Sequence, residues 1–281
     1  FVIVPRDEAA NAVALNTIAF SVTRTLGPAL AGYLIAWLGP AWNFAIQGAT
    51  YAGVSASVLM IRLARAPQRE HQPGAWRTMF AGFRFVAAHP VARSMVILGL
   101  VPPLMLIPSL SALMPVFAAD VFTVGPEGLG LMLSAVGAGG IAGGALAATL
   151  ARYERIPRMQ MYALASFALA LAGFALSPTM ALALGFLVIA GMAEMVLASS
   201  TTTGLQLCAP DGMRGQVTSV LPMFPAFISM GSLLAGIGAH AIGVRSWVIV
   251  TAVAAGIVFA LLWRYSQAYR GLRMSALIAR R

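Results

Sequence analysis

The chain has 281 residues, 60% of them hydrophobic and only 9% charged, with a formal net charge of +10. Soluble domains carry roughly 25% charged residues, so this composition excludes an ordinary globular protein and predicts an all-α polytopic membrane protein. A single cysteine, Cys208, excludes a disulfide framework within the chain, and the arginines lie in the gaps between apolar stretches instead of on one solvated face, so nucleic acid is not an expected partner.

A membrane-crossing helix needs about 20 apolar residues. Eight spans are expected, at residues 12–38, 41–61, 92–116, 127–150, 159–177, 179–205, 216–240 and 245–264. With residues 1–11 placed in the cytoplasm, every loop arginine except Arg245 falls on the cytoplasmic side, which is the positive-inside pattern. The chain opens Phe1-Val-Ile-Val-Pro5, without methionine, and reads as a cut through a larger protein.

The first span carries Arg24, then Gly27-Pro28 and Ala31-Gly32. A lone arginine in hydrocarbon costs at least ~2.5–3.5 kcal/mol. Arg24 lies about 13 residues, or ~20 Å, from the start of its span, too deep to snorkel to the interface easily. It is either a charge facing a cavity or an inter-half contact, or a structural arginine bonded to backbone carbonyls. Small residues four apart (Gly27/Ala31, Pro28/Gly32) allow another helix to approach closely.

Residues 62–90 form a cytoplasmic linker in which Trp76 to Val86 reads as an amphipathic helix along the membrane surface. In the third span Pro102, Pro103, Pro108 and Pro115 each remove a backbone donor, and Pro222 and Pro225 do so in the seventh. Such breaks serve a bending gate or are static kinks. The run Gly137-Ala-Gly139-Gly140-Ile-Ala-Gly143-Gly144 lacks the Lys-Ser/Thr of a phosphate loop. Inside an apolar span, Gly139/Gly143 and Gly140/Gly144 are helix-packing pairs.

Glu194 is the one acid well inside a span, about 11 residues or ~16 Å from its cytoplasmic end. Burial raises a carboxyl pKa and a neighbouring arginine lowers it, so Glu194 is a candidate proton-coupling or substrate-cation site, with Arg24 a partner at similar depth. The blander reading is a fixed salt bridge between helices. Ser199 to Thr203, Gln206, Asn43 and Gln47 are polar residues in or near spans that either line a route or bond their own helices. Three scattered histidines make no metal site. No Ser-His-Asp, paired-carboxylate or HExxH arrangement supports an enzyme, and no cofactor is expected.

An internal repeat is visible. Leu30-Ala31-Gly32 is followed by Gly39 and Trp42, and Leu234-Ala235-Gly236 by Gly243 and Trp247, with Pro5-Arg6-Asp7 and Pro210-Asp211 ahead of each. The first two spans are thus equivalents of the last two. The division expected is 1–61 as the last two helices of an N-terminal six-helix half, 62–90 as linker, 91–264 as a C-terminal six-helix half and 265–281 as a basic cytoplasmic tail.

Thr25-Leu26-Gly27-Pro28-Ala29-Leu30-Ala31-Gly32 resembles the antiporter motif of the fifth helix in proton-coupled exporters of the major facilitator superfamily. The loops at Pro5–Ala12 and Ala209–Val217, with Asp211 and Arg214, resemble those before its fifth and eleventh helices, and the wording is closest to bacterial exporters of the enterobactin-exporter type. The loop after the eighth helix keeps its charges, Arg152, Glu154, Arg155 and Arg158, but not the glycines of the family's gating loop.

The resemblance implies a major facilitator fold, here eight of twelve helices, in a multi-pass protein of the bacterial cytoplasmic membrane. It implies export of a small amphiphilic or apolar compound (drug, siderophore or metabolite) by proton antiport, with small molecule, protons and bilayer as partners and a monomer as the working unit. Gating roles fall to Asp211, Arg214, Arg152 and Glu154. A lysophospholipid flippase-like facilitator of the same fold is the alternative, and a non-transport membrane protein a remoter one.

Overall fold

The computed structural model describes residues 9–60, 75–150, 156–209, 216–217 and 221–265, and among them every regular element is helical. Water-free hydrocarbon forces each backbone N–H and C=O to find a partner within the chain, so long apolar stretches become helices. The helices are α1 (Ala9–Leu38), α2 (Pro40–Met60), α3 (Ala75–Ala88), a broken α4 (Pro90–Val121), α5 (Pro126–Leu150), α6 (Ile156–Leu176), α7 (Met180–Cys208), α8 (Phe224–Ile242) and α9 (Val244–Tyr265).

Among the described residues, six helices (α4 to α9) are long and apolar enough to cross a membrane. Of α1, the stretch Thr25–Leu38 counts only as a shorter apolar helix. Helix α2 has the length of a span but not the apolarity, because Asn43, Gln47, Ser55 and Ser57 dilute it. Of the eight expected spans, six meet these criteria among the described residues, and α1 is described for this purpose only from Thr25 onward.

Both members of the repeat turn in the same way. Gly39 (φ +81°) and Gly243 (φ +87°) adopt left-handed backbone that a side chain would strain. Each donates its N–H back to close the preceding helix, Gly39 to Ile35 O at 3.0 Å and Gly243 to Ala239 O at 2.9 Å. The tight hairpins α1–α2 and α8–α9 follow directly.

Helix α3 occupies the expected amphipathic stretch and packs against the start of α4, with Val86 buried and Arg84 exposed. His89 then caps α4, its Nδ1 accepting from the Ala92 N–H at 3.4 Å.

The prolines reshape α4. Pro102–Leu106 and Phe117–Val121 are π-helical, and Ala112 and Leu113 interrupt the helix between them. The expected break at Pro225 is different. The helix begins only at Phe224, after a 3-10 turn at Leu221–Met223, so Pro225 sits in its first turn, where a missing N–H costs nothing.

Helix α7 is the hub, packing against α5 on one side, α6 on another and α4 on a third. The core is built from Met95, Leu98, Phe117, Met132, Phe167, Phe174 and Leu187, all fully buried. Many large apolar side chains stay on the outside, among them Trp37, Leu59 and Leu169, as a bilayer allows.

Candidate functional site

Two places bring chemistry-bearing residues together. The first is the crossing of α1 with α5. A Cβ built on Gly32 would lie 2.5 Å from Pro126 O and 3.2 Å from Gly130 Cα. One built on Gly130 would lie 2.5 Å from Pro28 O and 3.2 Å from Ala29 Cα. The two backbones touch only because both residues are glycine. Alongside, the Ala29 N–H donates to Ser134 Oγ at 3.1 Å, a hydrogen bond between helices beside the Pro28 break.

This locates the contact more finely than the sequence did. Gly27 has room, since a Cβ there would meet only Thr23 Cγ2, at 3.9 Å. Gly139 and Gly143 face α7 instead of α1, closing on Val188 O and Met192 O, while Gly191 of α7 closes on Val136 O. Gly140 is buried, and a Cβ on Gly144 would reach Met195 Cγ at an ordinary 3.9 Å. Gly130 and Ser134 were missed although they form a small pair four residues apart, because the glycine run beyond them is the louder signal.

The second place is a cavity of about 170 Å³ between α4, α7 and α8, in which Glu194, Thr201 and Thr202 of α7 face Gly99, Pro102 and Pro103 of α4 and Phe224 of α8. Glu194 stands midway along Met180–Cys208 and is half-buried. Pro102 and Pro103 have no N–H to give in the regular helical pattern, and α4 passes into a π-helical turn there, with the Ile107 N–H donating to Pro102 O. Further along the same pair of helices, Gly231 of α8 sits against Leu104 O, whose regular helical donor is missing at Pro108.

A buried polar bridge fixes this wall, and sequence reasoning missed it. Gln160 of α6 is fully buried and its Nε2 donates to Met95 O at 3.1 Å and to Thr201 Oγ1 at 2.7 Å. The Thr201 hydroxyl in turn donates to Leu197 O at 2.8 Å. Three helices are thereby locked at the cavity edge. A glutamine in an apolar helix was the available signal, but it lies in the second turn of α6, where it reads as interfacial.

Arg24 stands midway along α1, at a helical position comparable to that of Glu194 in α7. Its side chain lies outside the described residues, and no described α1 residue lines the Glu194 cavity. Arg152, Glu154, Asp211 and Arg214 also lie outside the described residues.

The cavity is smaller than the ~300–1,000 Å³ typical of sites for drug-sized ligands. In this conformation it suits a proton, water or a small cation. Among the described residues no group of three or more His, Cys, Asp or Glu comes together as a metal site would require.

The profile of one family, described as MFS_3, transmembrane secretion effector, matches residues 2–276. The multidrug efflux pump Tap of Mycolicibacterium fortuitum is 30% identical over 231 residues, covering 81% of this chain and 56% of that protein. The enterobactin exporter EntS of Shigella boydii serotype 18 is 25% identical over 219 residues, covering 78% and 51%. The chain thus spans about half the length of these curated relatives.

Among solved structures, a bacterial homologue of the human lysosomal transporter Spinster, inward-facing and unoccupied, superposes with a TM-score of 0.61. That match has 16% identity and covers 95% of this chain and 73% of the other, so it speaks for the fold alone. With its apolar helices and a family profile running nearly end to end, the chain is a multi-pass membrane protein that belongs to the major facilitator family of transmembrane secretion effectors.

Proposed function

We propose that the protein containing this chain is a secondary transporter that exports a small amphiphilic or apolar compound across the bacterial cytoplasmic membrane, driven by inward proton flow. The observation that carries this reading is Glu194, a carboxyl at mid-helix depth in a cavity lined also by Pro102, Pro103 and two threonines. Such a group takes up and releases a proton as its surroundings alternate between wet and dry. The names of the two exporter relatives point the same way for proteins about one and a half times as long. In this reading residues 1–61 and 91–264 belong to two halves that rock about the site, residues 62–90 link them, and the termini and linker are cytoplasmic. Arg24 is the candidate partner for Glu194, and Asp211, Arg214, Arg152 and Glu154 are candidate gating charges.

The test is pH-gradient-driven efflux from proteoliposomes holding the full-length protein. Glu194→Gln should slow coupled export by roughly tenfold, ~1.4 kcal/mol in the coupled step, and flatten its pH dependence. Unchanged rate and pH profile would remove Glu194 from coupling.

A lipid-handling facilitator of the same fold is a second reading. Either occupant needs a wider opening than the ~170 Å³ seen here, and one acid, two hydroxyls and apolar walls match the amphiphilic character of a single-chain lipid as well as that of a drug. Flipping of a fluorescent lysophospholipid, measured beside drug efflux in the same vesicles, separates the two.

A further inference from the structure

On nearly the opposite face of α7 from Glu194 lies a larger cavity, about 430 Å³, between α5, α6 and α7. Its walls are apolar (Leu146, Ala163, Ile189, Met192) and its one described charge is Arg158, in the first turn of α6. The Arg158 Nε is buried and meets no acceptor among the described residues, and no described lining residue is acidic. A buried Nε–H with no acceptor among the described residues marks a place where an acceptor fits.

One turn along α6, Tyr162 also lines the groove, is 56% exposed and pairs with Trp263 of α9 at 6.0 Å between ring centres. Tyrosine and tryptophan gather at the level of lipid headgroups. Arg158 and Tyr162 therefore stand at the headgroup end of a slot whose remainder runs into the hydrocarbon past Ala163 and Ile189.

We infer that this groove holds an anionic phospholipid from the leaflet on the side of the α5–α6 connection. Its phosphate accepts from Arg158, and one acyl chain lies along the apolar wall. Charge complementarity selects the occupant: the transported compound has no need of a fixed cation on the outer face of the bundle, and a zwitterionic lipid carries no net charge to match it. This inference is independent of the export reading, because the groove and the Glu194 cavity share no residue.

The experiment is native mass spectrometry of the full-length protein released from nanodiscs of equimolar phosphatidylglycerol and phosphatidylcholine. The wild type should retain phosphatidylglycerol about fivefold over phosphatidylcholine, the worth of one basic contact at an anionic surface. Arg158→Gln should bring the ratio to about one, while Arg158→Lys, which keeps the charge, restores it. Ser166→Trp, placed in the slot, should reduce retention of both lipids while leaving the protein folded and monodisperse. Equal retention of the two lipids by the wild type, or an undiminished ratio in Arg158→Gln, overturns the inference. So does binding of inorganic phosphate alone that is lost in Arg158→Gln but unchanged in Ser166→Trp, since that is a free-anion site. Disulfide-linked dimers formed through an Ile189→Cys variant in nanodiscs also overturn it, since a second copy then fills the groove.

Discussion

Replacing Gly130 with alanine adds a single carbon at the α1–α5 crossing, and the structure fixes what that carbon meets. It would lie 2.5 Å from Pro28 O, against the 3.4 Å at which ordinary contact begins, so α1 and α5 must part by about 0.9 Å. A radial gap of that size forfeits about a quarter to a half of each dispersion contact across the seam. It also stretches the 3.1 Å Ala29 N–H to Ser134 Oγ bond past useful length, and such bonds between membrane helices average about 0.6 kcal/mol. Together these give a loss of about 1–3 kcal/mol, in the range of overpacked cores.

Gly27→Ala is the control. It has space, and it removes a glycine from a helix, so it should be neutral or stabilising by up to about 0.5–1 kcal/mol. Unfolding by increasing mole fraction of SDS in dodecyl maltoside, followed by tryptophan fluorescence, reads both. If Gly130→Ala unfolds within 0.5 kcal/mol of wild type, or Gly27→Ala is the worse of the two, this account of the crossing is wrong.

Ser134→Ala should cost about 0.6 kcal/mol in the same assay, and combined with Gly130→Ala should cost less than the sum, because both act on one bond. Gln160→Leu should destabilise by about 1–3 kcal/mol, since Met95 O is left in the core without this donor. Its effect should reach transport through Thr201, seen as a slower rate at unchanged expression. Gly231→Leu should destabilise by about 1–3 kcal/mol by driving α8 off Leu104 O and Pro108, which limited proteolysis of the α8 region would register as faster cutting.

Much of this protein is legible without coordinates. Hydropathy marks the helices because the bilayer leaves no other home for backbone polar groups. The prolines of α4 announce its breaks, and the spacing that pairs Gly39 with Gly243 announces two equivalent hairpins, whose turn glycines share a positive φ. Glu194 is conspicuous because an acid in hydrocarbon is expensive wherever it points. These are properties of single residues, or of one helix, in a uniform solvent.

Only the tertiary structure decides who meets whom. A small residue every fourth position says that a backbone can come close, but not which one. Thus the glycine run of α5 turns to α7, and Gly130 meets the Gly-Pro stretch of α1 instead. Gln160 becomes a tie between three helices only once α4 and α7 are brought to it. Arg158 looks like one more loop charge until its Nε is found buried beside an apolar slot. Position along a helix is written in the sequence. Orientation about its axis is settled by packing, which depends on residues far away in the chain.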